Sequence, residues 1–315
     1  MARKLRVEYP GALYHVMSRG DHRELIFRDD LDRACFVETL GGACAKAGWQ
    51  VHAYCLMPNH FHLVVETPQG NLVAGMKWLL GTYTGRFNRR HKLCGHLFSG
   101  RYKSLVVDGS GSGYLKTVCD YVHLNPVRAK LIGPAEKLGV YGGSSYRAYL
   151  WPGRRRPKWL RVDRLLGEYR VPKDSAAGRR YFGEAMEARR RSESGQGQAF
   201  KALRRGWYWG EKAFRQELLE QMEERRGANH YGEECHELAE AKAERIVAEE
   251  LQRRGWSEGD LCERAKGDQG KVALAGRLRR ETTMTLKWVA ARLAMGSWSN
   301  VSNLLAATRK KARKR

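Results

Sequence analysis

The sequence lacks the features of a secreted, disulfide-bonded or membrane-spanning protein. Its seven cysteines are odd in number and none forms a C-x-x-C pair, so no disulfide framework is indicated. No apolar run is long enough to cross a bilayer, and no apolar signal core follows the basic first residues. We therefore expect reduced cysteines and a cytoplasmic protein without a membrane partner.

Acidic residues are also scarce relative to basic ones. The 315 residues include 58 Lys and Arg against 34 Asp and Glu, which gives a formal net charge of +24. This excess goes beyond what solubility requires and predicts a polyanionic partner, most simply nucleic acid, because Lys and Arg contacts to phosphate dominate such binding. A basic surface with no dedicated partner is the alternative.

A pair of histidines occurs two residues apart in His60-Phe61-His62, and Val64 and Val65 continue the run. Because residues i and i+2 of a strand point to the same face, the two imidazoles would lie side by side. Such a pair supplies half of a divalent metal site. The alternative is two polar residues on a half-buried strand.

The spacing of apolar residues predicts an α+β domain over residues 1–150. Strands are expected at 12–18, 49–57, 60–67 and 101–108. Helices are expected at 30–47, 72–90 and 114–131, the last interrupted near Pro126. The first six elements run strand–helix–strand–strand–helix–strand, which is the ferredoxin-like pattern. We expect an antiparallel sheet with helices on one face and the other face free for a ligand.

The third predicted helix contains a tyrosine and an asparagine at positions i and i+4. Tyr121 and Asn125 would share one helical face, and a hydroxyl beside an amide oxygen could complete a nucleophile-plus-metal arrangement if that face meets His60 and His62. The alternative is that Tyr121 is packing and Asn125 a helix cap before Pro126.

These motifs together resemble the single-tyrosine HUH transposase domain, and in particular the REP-associated tyrosine transposases of bacteria. The resemblance covers about residues 5 to 150, and Asp21 stands where the family often has asparagine after Arg-Gly. It is carried by the His-hydrophobic-His motif and by four stretches: Tyr14–Gly20, Tyr54–His62, Gly100–Ser104 and Tyr121–Lys130.

The resemblance implies cleavage and joining of single-stranded DNA at hairpin-forming repeats. Tyr121 would be the nucleophile that forms a 5′-phosphotyrosine link and frees a 3′-hydroxyl. His60, His62 and Asn125 would hold Mg²⁺ or Mn²⁺, with Zn²⁺ ranked lower. The partners would be DNA hairpins and flanking DNA in the bacterial nucleoid. We expect a monomer, and the alternative is a dimer with exchanged tyrosine helices, as found among insertion-sequence relatives.

Further DNA contacts are predicted from clustered basic residues and from the end of the chain. Residues 151–230 are interpreted as a basic linker and helical extension, and 231–315 as a helical region with a helix–turn–helix and a basic tail. That spacing resembles the DNA-binding ends of replication initiators and repressors. The candidate contacts are Arg86, Arg89, Arg90, Arg101, Lys103, Arg154, Arg155, Arg156, Trp298, Ser299, Asn300, Ser302 and Asn303.

Two other functions stay open at this point. A non-catalytic, sequence-specific DNA-binding regulator could retain the transposase fold, and it would form no covalent DNA adduct. An RNA-binding protein would share the basic charge, and preference for DNA hairpins over matching RNA would argue against it.

Overall fold

The structure is a computed structural model that describes residues 7–111, 113–193, 203, 206–224 and 233–313. The chain divides into two compact units, the first extending to His230 and the second beginning at Tyr231. The described part of the predicted linker and extension, 151–230, belongs to the first unit. Side chains of the predicted basic tail, 309–315, lie outside the described residues.

The first unit is built on a sheet of four long strands and one short one. The strands are β1 (Ala12–Arg19), β2 (Gln50–Met57), β3 (His60–Thr67), β4 (Lys103–Val107) and β5 (Tyr208–Trp209). Their order is β2-β3-β1-β4-β5, with antiparallel pairing throughout except between β4 and β5. The order of the first four strands is the ferredoxin-like one that the sequence predicted, and β5 adds a parallel edge.

Helix ends in the first unit follow local chemistry. The Asp29 side chain accepts a hydrogen bond from the Asp32 backbone N–H at 2.9 Å, and Gly48 ends the same helix with φ +69°. The helices of this unit are α1 (Asp30–Ala47), α2 (Leu72–His91), α3 (Tyr114–His123), α4 (Asn125–Arg128), α5 (Tyr146–Leu150), α6 (Asp163–Glu168), α7 (Ala176–Ser192) and α8 (Lys212–Glu224).

Helices cover both faces of the sheet. Phe61 of β3 packs on Phe36 of α1, with ring centroids 4.8 Å apart, and Tyr83 of α2 lies against the same ring at 5.0 Å. Helix α3 lies on the opposite face, where Tyr121 meets two histidines of the sheet. The prediction of helices on one face is therefore wrong for α3. The physical reason is that nearly every residue of β2 is buried, which requires a covering layer on each side.

The second unit is entirely helical among its described residues. Its elements are α9 (Glu233–Arg254), α10 (Asp260–Glu263), α11 (Gln269–Glu281), α12 (Leu286–Arg292) and α13 (Trp298–Arg313). Thr285 caps α12, because its Oγ1 accepts the Trp288 backbone N–H at 3.2 Å. A five-residue turn, 293–297, separates α12 from α13. Both helices pack on one core that includes Val289, Leu293 and Val301.

A buried lysine ties this second core together. Lys271 is fully buried, and its ammonium donates to the carbonyls of Leu261 at 2.9 Å, Arg264 at 3.2 Å and Ala294 at 3.1 Å. We predict that Lys271→Met lowers the free energy of unfolding of this unit by roughly 2–4 kcal/mol, because three buried or partly buried carbonyl acceptors lose a charged donor. Thermal unfolding of the full chain measures this. The exposed Lys266→Met is the control, expected within about 0.5 kcal/mol of wild type.

Buried neutral histidines make the first unit sensitive to acid. Burial lowers the pKa of His123 to about 3, so the unfolded chain, with a His pKa of about 6.5, takes up this proton first. Stability therefore falls as pH drops below about 6.5, by about 2 kcal/mol from this group alone at pH 5. Urea unfolding, measured above pH 6.5 and at pH 5, should show a smaller loss of unfolding free energy at pH 5 in His123→Phe than in wild type. An equal or larger loss in the variant would contradict this assignment.

Candidate active site

The two histidines of the His-x-His motif begin β3. Pro58 and Asn59 connect β2 to β3, and β3 starts at His60. The Phe61 side chain points to the α1 layer, so His60 and His62 point to the other face, with ring centroids 5.1 Å apart. His62 is buried and His60 is half-buried. The predicted side-by-side arrangement of the two imidazoles is confirmed.

Each of these histidines uses its Nδ1 nitrogen in a hydrogen bond. His60 Nδ1 lies 2.7 Å from Asn59 Oδ1, and His62 Nδ1 lies 2.9 Å from His15 Nε2. The Asn59 amide is oriented by a second bond, from its Nδ2 to the Arg23 carbonyl at 3.1 Å. The Nε2 nitrogen of each ring is therefore the one left for a metal ion.

All three imidazoles are held neutral at pH 7. Burial, and then the charge of Arg19, lower the pKa of His60 to about 4. Burial, and then the charge of Arg128, lower the pKa of His15 to about 4. Burial foremost, with neighbouring His15 and His60, puts the pKa of His62 well below its usual value. Neutral imidazole is the form that binds metal, so the pair is ready at physiological pH.

Tyr121 of α3 lies against these histidines. Its ring meets His15 edge-on at 5.6 Å between centroids and His62 at 5.9 Å, and the residue is 5% exposed. Arg128 also holds this residue: its guanidinium lies 4.2 Å from the Tyr121 ring centroid and donates to the Tyr121 carbonyl. Arg128 is in turn paired with the buried carboxylate of Glu193.

Asn125 begins the short helix α4, and a single residue, Leu124, separates α4 from α3. Its side chain is buried, and among the described residues its Nδ2 has no hydrogen-bond partner. A half-turn of the amide would bring Oδ1 to that position as an acceptor or ligand. Among the described residues no group of three or more His, Cys, Asp and Glu is placed to hold a metal, so a third ligand would have to be another type of donor.

Basic side chains surround the histidine pair on the same face of the sheet. Arg19 of β1 lies directly across from His60, while Met17 lies between His62 on β3 and Lys103 on β4. Two strand spacings put the Lys103 Cα roughly 10 Å from that of His62. Arg19, Arg101 and Lys103 are exposed. This end of the face can therefore attract a phosphate backbone.

Several other predicted DNA contacts are engaged within the protein. Arg86 is paired with Glu38 at 2.9 Å, Arg90 with Asp29 at 2.5 Å, and Arg156 with Asp174 at 2.5 Å. Carboxylates largely neutralise the charge of these arginines, so a phosphate would have to compete with the carboxylates for the guanidinium groups. Arg89, Arg154 and Arg155 are exposed and stay predictions.

The candidate contacts of the second unit lie along the start of α13. Trp298 is 58% exposed, Ser299 and Asn303 are exposed, and Ser302 is half-buried. Asn300 instead donates its Nδ2 to the Met295 carbonyl at 2.9 Å, which makes it part of the turn. DNA binding by this helix stays a prediction.

The phosphate role of Lys103 can be measured through salt dependence. Lys103→Ala should reduce the slope of log K against log salt for single-stranded DNA by about 0.7, the loss of one phosphate contact. Lys77→Ala is the matched control, because this exposed lysine is on α2, the layer behind the sheet. Equal slopes for wild type and Lys103→Ala, in fluorescence anisotropy titrations, would show that Lys103 does not contact a DNA phosphate.

Sequence reasoning missed three residues of this site: His15, Arg19 and Arg128. All three lie in stretches that carry the family resemblance, but their partners are distant in sequence. His15 bonds a residue 47 positions away, and Arg128 bonds one 65 positions away. Arg19 lies beside His60 because of the register between β1 and β3, which the sequence alone does not reveal.

Comparison with known protein families finds a match over part of the first unit. Residues 9–125, which contain the histidine pair, Tyr121 and Asn125, match the family model described as "Transposase IS200 like". Residues 9–125 are therefore similar to IS200-like transposases.

A search of solved structures also finds a similar protein. The chain is similar to the "Structure of the REP associates tyrosine transposase bound to a REP hairpin", at 13% identity and a TM-score of 0.40. The match covers 51% of this chain and 92% of that one. No curated protein sequence matches the chain significantly. None of the described helices has the length and apolar character needed to span a membrane.

Proposed function

We propose that this chain is a tyrosine transposase of the REP-associated type. It cleaves single-stranded DNA at hairpin-forming repeats and transfers the strand through a 5′-phosphotyrosine intermediate on Tyr121. The observation that carries this proposal is the contact of the Tyr121 ring with His15 and His62, inside a domain that matches the IS200-like family.

The donor set fits a hard divalent ion, Mg²⁺ or Mn²⁺. His60 and His62 would bind it through Nε2, and Asn125 through its amide oxygen, with the remaining positions open for phosphate and water. When bound, such an ion neutralises charge on the scissile phosphate as it is attacked. No cysteine thiolate is proposed as a ligand, which ranks Zn²⁺ lower.

The protein's own residues would carry the covalent step. The Tyr121 hydroxyl oxygen forms a bond to phosphorus, the bond from phosphorus to the 3′ oxygen breaks, and the phenolic proton is balanced by the one taken up at the freed 3′-hydroxyl. The phosphotyrosine ester conserves the energy of the broken bond, so a second 3′-hydroxyl can reverse the step. Arg128 keeps the ring oriented, while Arg19 and Lys103 attract the strand.

The arrangement favours action within one chain. Tyr121 contacts histidines of the sheet in its own chain. We therefore propose a monomer as the working unit. The α12–α13 pair of the second unit would add affinity for flanking duplex DNA through the exposed start of α13.

A covalent-adduct assay tests this function. The protein is incubated with labelled single-stranded hairpin DNA from repeats flanking its gene, with Mg²⁺ or Mn²⁺, and run on a denaturing gel. We expect a labelled protein band that disappears with chelator. Retarded but uncut DNA, across several hairpins and both metals, would reject the enzyme and favour the DNA-binding regulator. Stronger binding to the matching RNA would favour an RNA-binding protein.

A further inference from the structure

Both histidines of the motif have a polar partner on the same ring nitrogen, although the two partners differ in residue type. Asn59 meets Nδ1 of His60, and His15 meets Nδ1 of His62. We propose that Asn59 and His15 are positioning residues that fix which nitrogen each histidine presents to the divalent ion. This inference rests on the proposed function, since it assumes that the pair holds that ion.

For His60 the direction of the hydrogen bond follows from the Asn59 amide. Asn59 Nδ2 donates to the Arg23 carbonyl at 3.1 Å, which turns Oδ1 toward His60 at 2.7 Å. An amide oxygen can only accept, so a neutral His60 must carry its proton on Nδ1. Its Nε2 then has a free lone pair. Asn59 also belongs to the turn before β3, so the turn itself sets the tautomer.

For His62 the partner comes from the neighbouring strand. His15 and His62 lie on adjacent strands, two residues out of register on the same face, and their rings stack 16° from parallel with centroids 5.1 Å apart. Both are buried. If His15 donated to His62 Nδ1, the His62 proton would lie on Nε2 and block the ligand position. Metal binding therefore requires the opposite direction, with His62 donating and His15 Nε2 accepting.

The arrangement is more than general packing of buried rings. His123 is also fully buried, yet its Nε2 bonds the Ser145 hydroxyl at 2.9 Å and its Nδ1 has no partner among the described residues. Of these three histidines, only His60 and His62 have a hydrogen-bonded Nδ1. An outer hydrogen-bond partner of this kind orients a ligand imidazole and raises its basicity.

The first test needs no metal and no DNA. In ¹⁵N-labelled wild-type protein, long-range ¹H–¹⁵N spectra should show the proton of both His60 and His62 on Nδ1. In His15→Phe, which removes the acceptor but keeps a ring, His62 should lose that preference while His60 keeps it. A proton on Nε2 of His62 in the metal-free wild type would overturn the role of His15.

The second test measures Mn²⁺ binding to the full chain by the loss of the free-ion EPR signal. His15→Phe and Asn59→Leu should each bind Mn²⁺ roughly 10- to 100-fold more weakly than wild type. His15→Gln, whose amide oxygen can reach where Nε2 was, and Asn59→Asp, which keeps the acceptor, should recover most of the affinity. The control is His123→Phe, a buried histidine outside the pair, which should bind Mn²⁺ as wild type does.

The outcomes distinguish a failure of the positioning roles from a failure of the proposed metal-dependent function. Wild type that binds no Mn²⁺ and forms no DNA adduct would overturn the metal site, and the positioning roles with it. Wild type that binds Mn²⁺ and forms the adduct, while His15→Phe and Asn59→Leu match it, would overturn the positioning roles alone. Circular dichroism and melting temperature identify any variant that fails to fold, and the Gln and Asp variants then decide the question.

Discussion

A Tyr121→Phe variant should form no covalent adduct with single-stranded hairpin DNA, and its cleavage rate should fall by at least about a thousandfold, as expected when a nucleophile is deleted. The substitution keeps the ring that packs on His15 and His62 and that Arg128 covers. The fold and DNA affinity should therefore be preserved, so a lost adduct reports the missing hydroxyl. Denaturing gels and anisotropy titrations measure the two properties separately.

The matched control is Tyr114→Phe. Tyr114 begins the same helix as Tyr121, and its ring packs edge-on against Trp209 at 5.7 Å, outside the proposed site. It should form the adduct at close to the wild-type rate. An adduct that survives Tyr121→Phe but not Tyr114→Phe would identify Tyr114 as the nucleophile and contradict the assignment of Tyr121.

A His60→Ala variant should cleave DNA at a rate reduced by about a hundredfold or more, while its affinity for DNA is unchanged. The imidazole would supply one of the nitrogen ligands of the divalent ion, whereas Arg19 and Lys103 would bind the DNA strand. His60 is half-buried, so its removal leaves a smaller void than removal of His62 would. Single-turnover cleavage at rising Mn²⁺ concentrations is the measurement.

Rising Mn²⁺ should partly restore cleavage in this variant, because the remaining donors still form an incomplete site. His96→Ala serves as the control, since His96 is exposed in the loop before β4. A variant that cleaves at the wild-type rate at every Mn²⁺ concentration would exclude His60 from the metal site.

The sequence predicted the sheet and the histidine pair because both depend on local signals. β3 begins at His60 as expected, since Pro58 and Asn59 form the turn and the β-branched Val64 and Val65 favour a strand after it. Helix α1 is bounded by an aspartate cap and a glycine in the left-handed conformation, each of which acts within a few residues.

Features that depend on distant partners could not be predicted. The position of α3 on the second face required knowing that β2 is covered on both sides. The two-residue strand β5 is too short to produce a pattern, and it exists because it pairs with β4 from a segment about 100 residues later in the chain. The bond between His15 and His62 joins two strands whose register is set only in the folded sheet.

The sequence also could not predict which basic residues are available to bind DNA. Net charge predicted a nucleic-acid partner, but composition does not distinguish an arginine that faces solvent from one that is paired. Arg90 is predicted to be a DNA contact because it belongs to a basic cluster in the sequence. In the fold, its guanidinium forms ion pairs with Asp29 and Asp32. Lys103 is distinguished only by its strand position near His62.

The most direct test of the central claim is to identify the atom joined to DNA. The adduct is digested with nuclease and trypsin and analysed by mass spectrometry. We expect the nucleotide on the peptide Thr117–Arg128, whose single tyrosine is Tyr121, linked through a 5′ phosphate. A nucleotide on any other residue would contradict the assignment of Tyr121 as the nucleophile. Cut DNA with no protein attached would contradict the covalent mechanism itself.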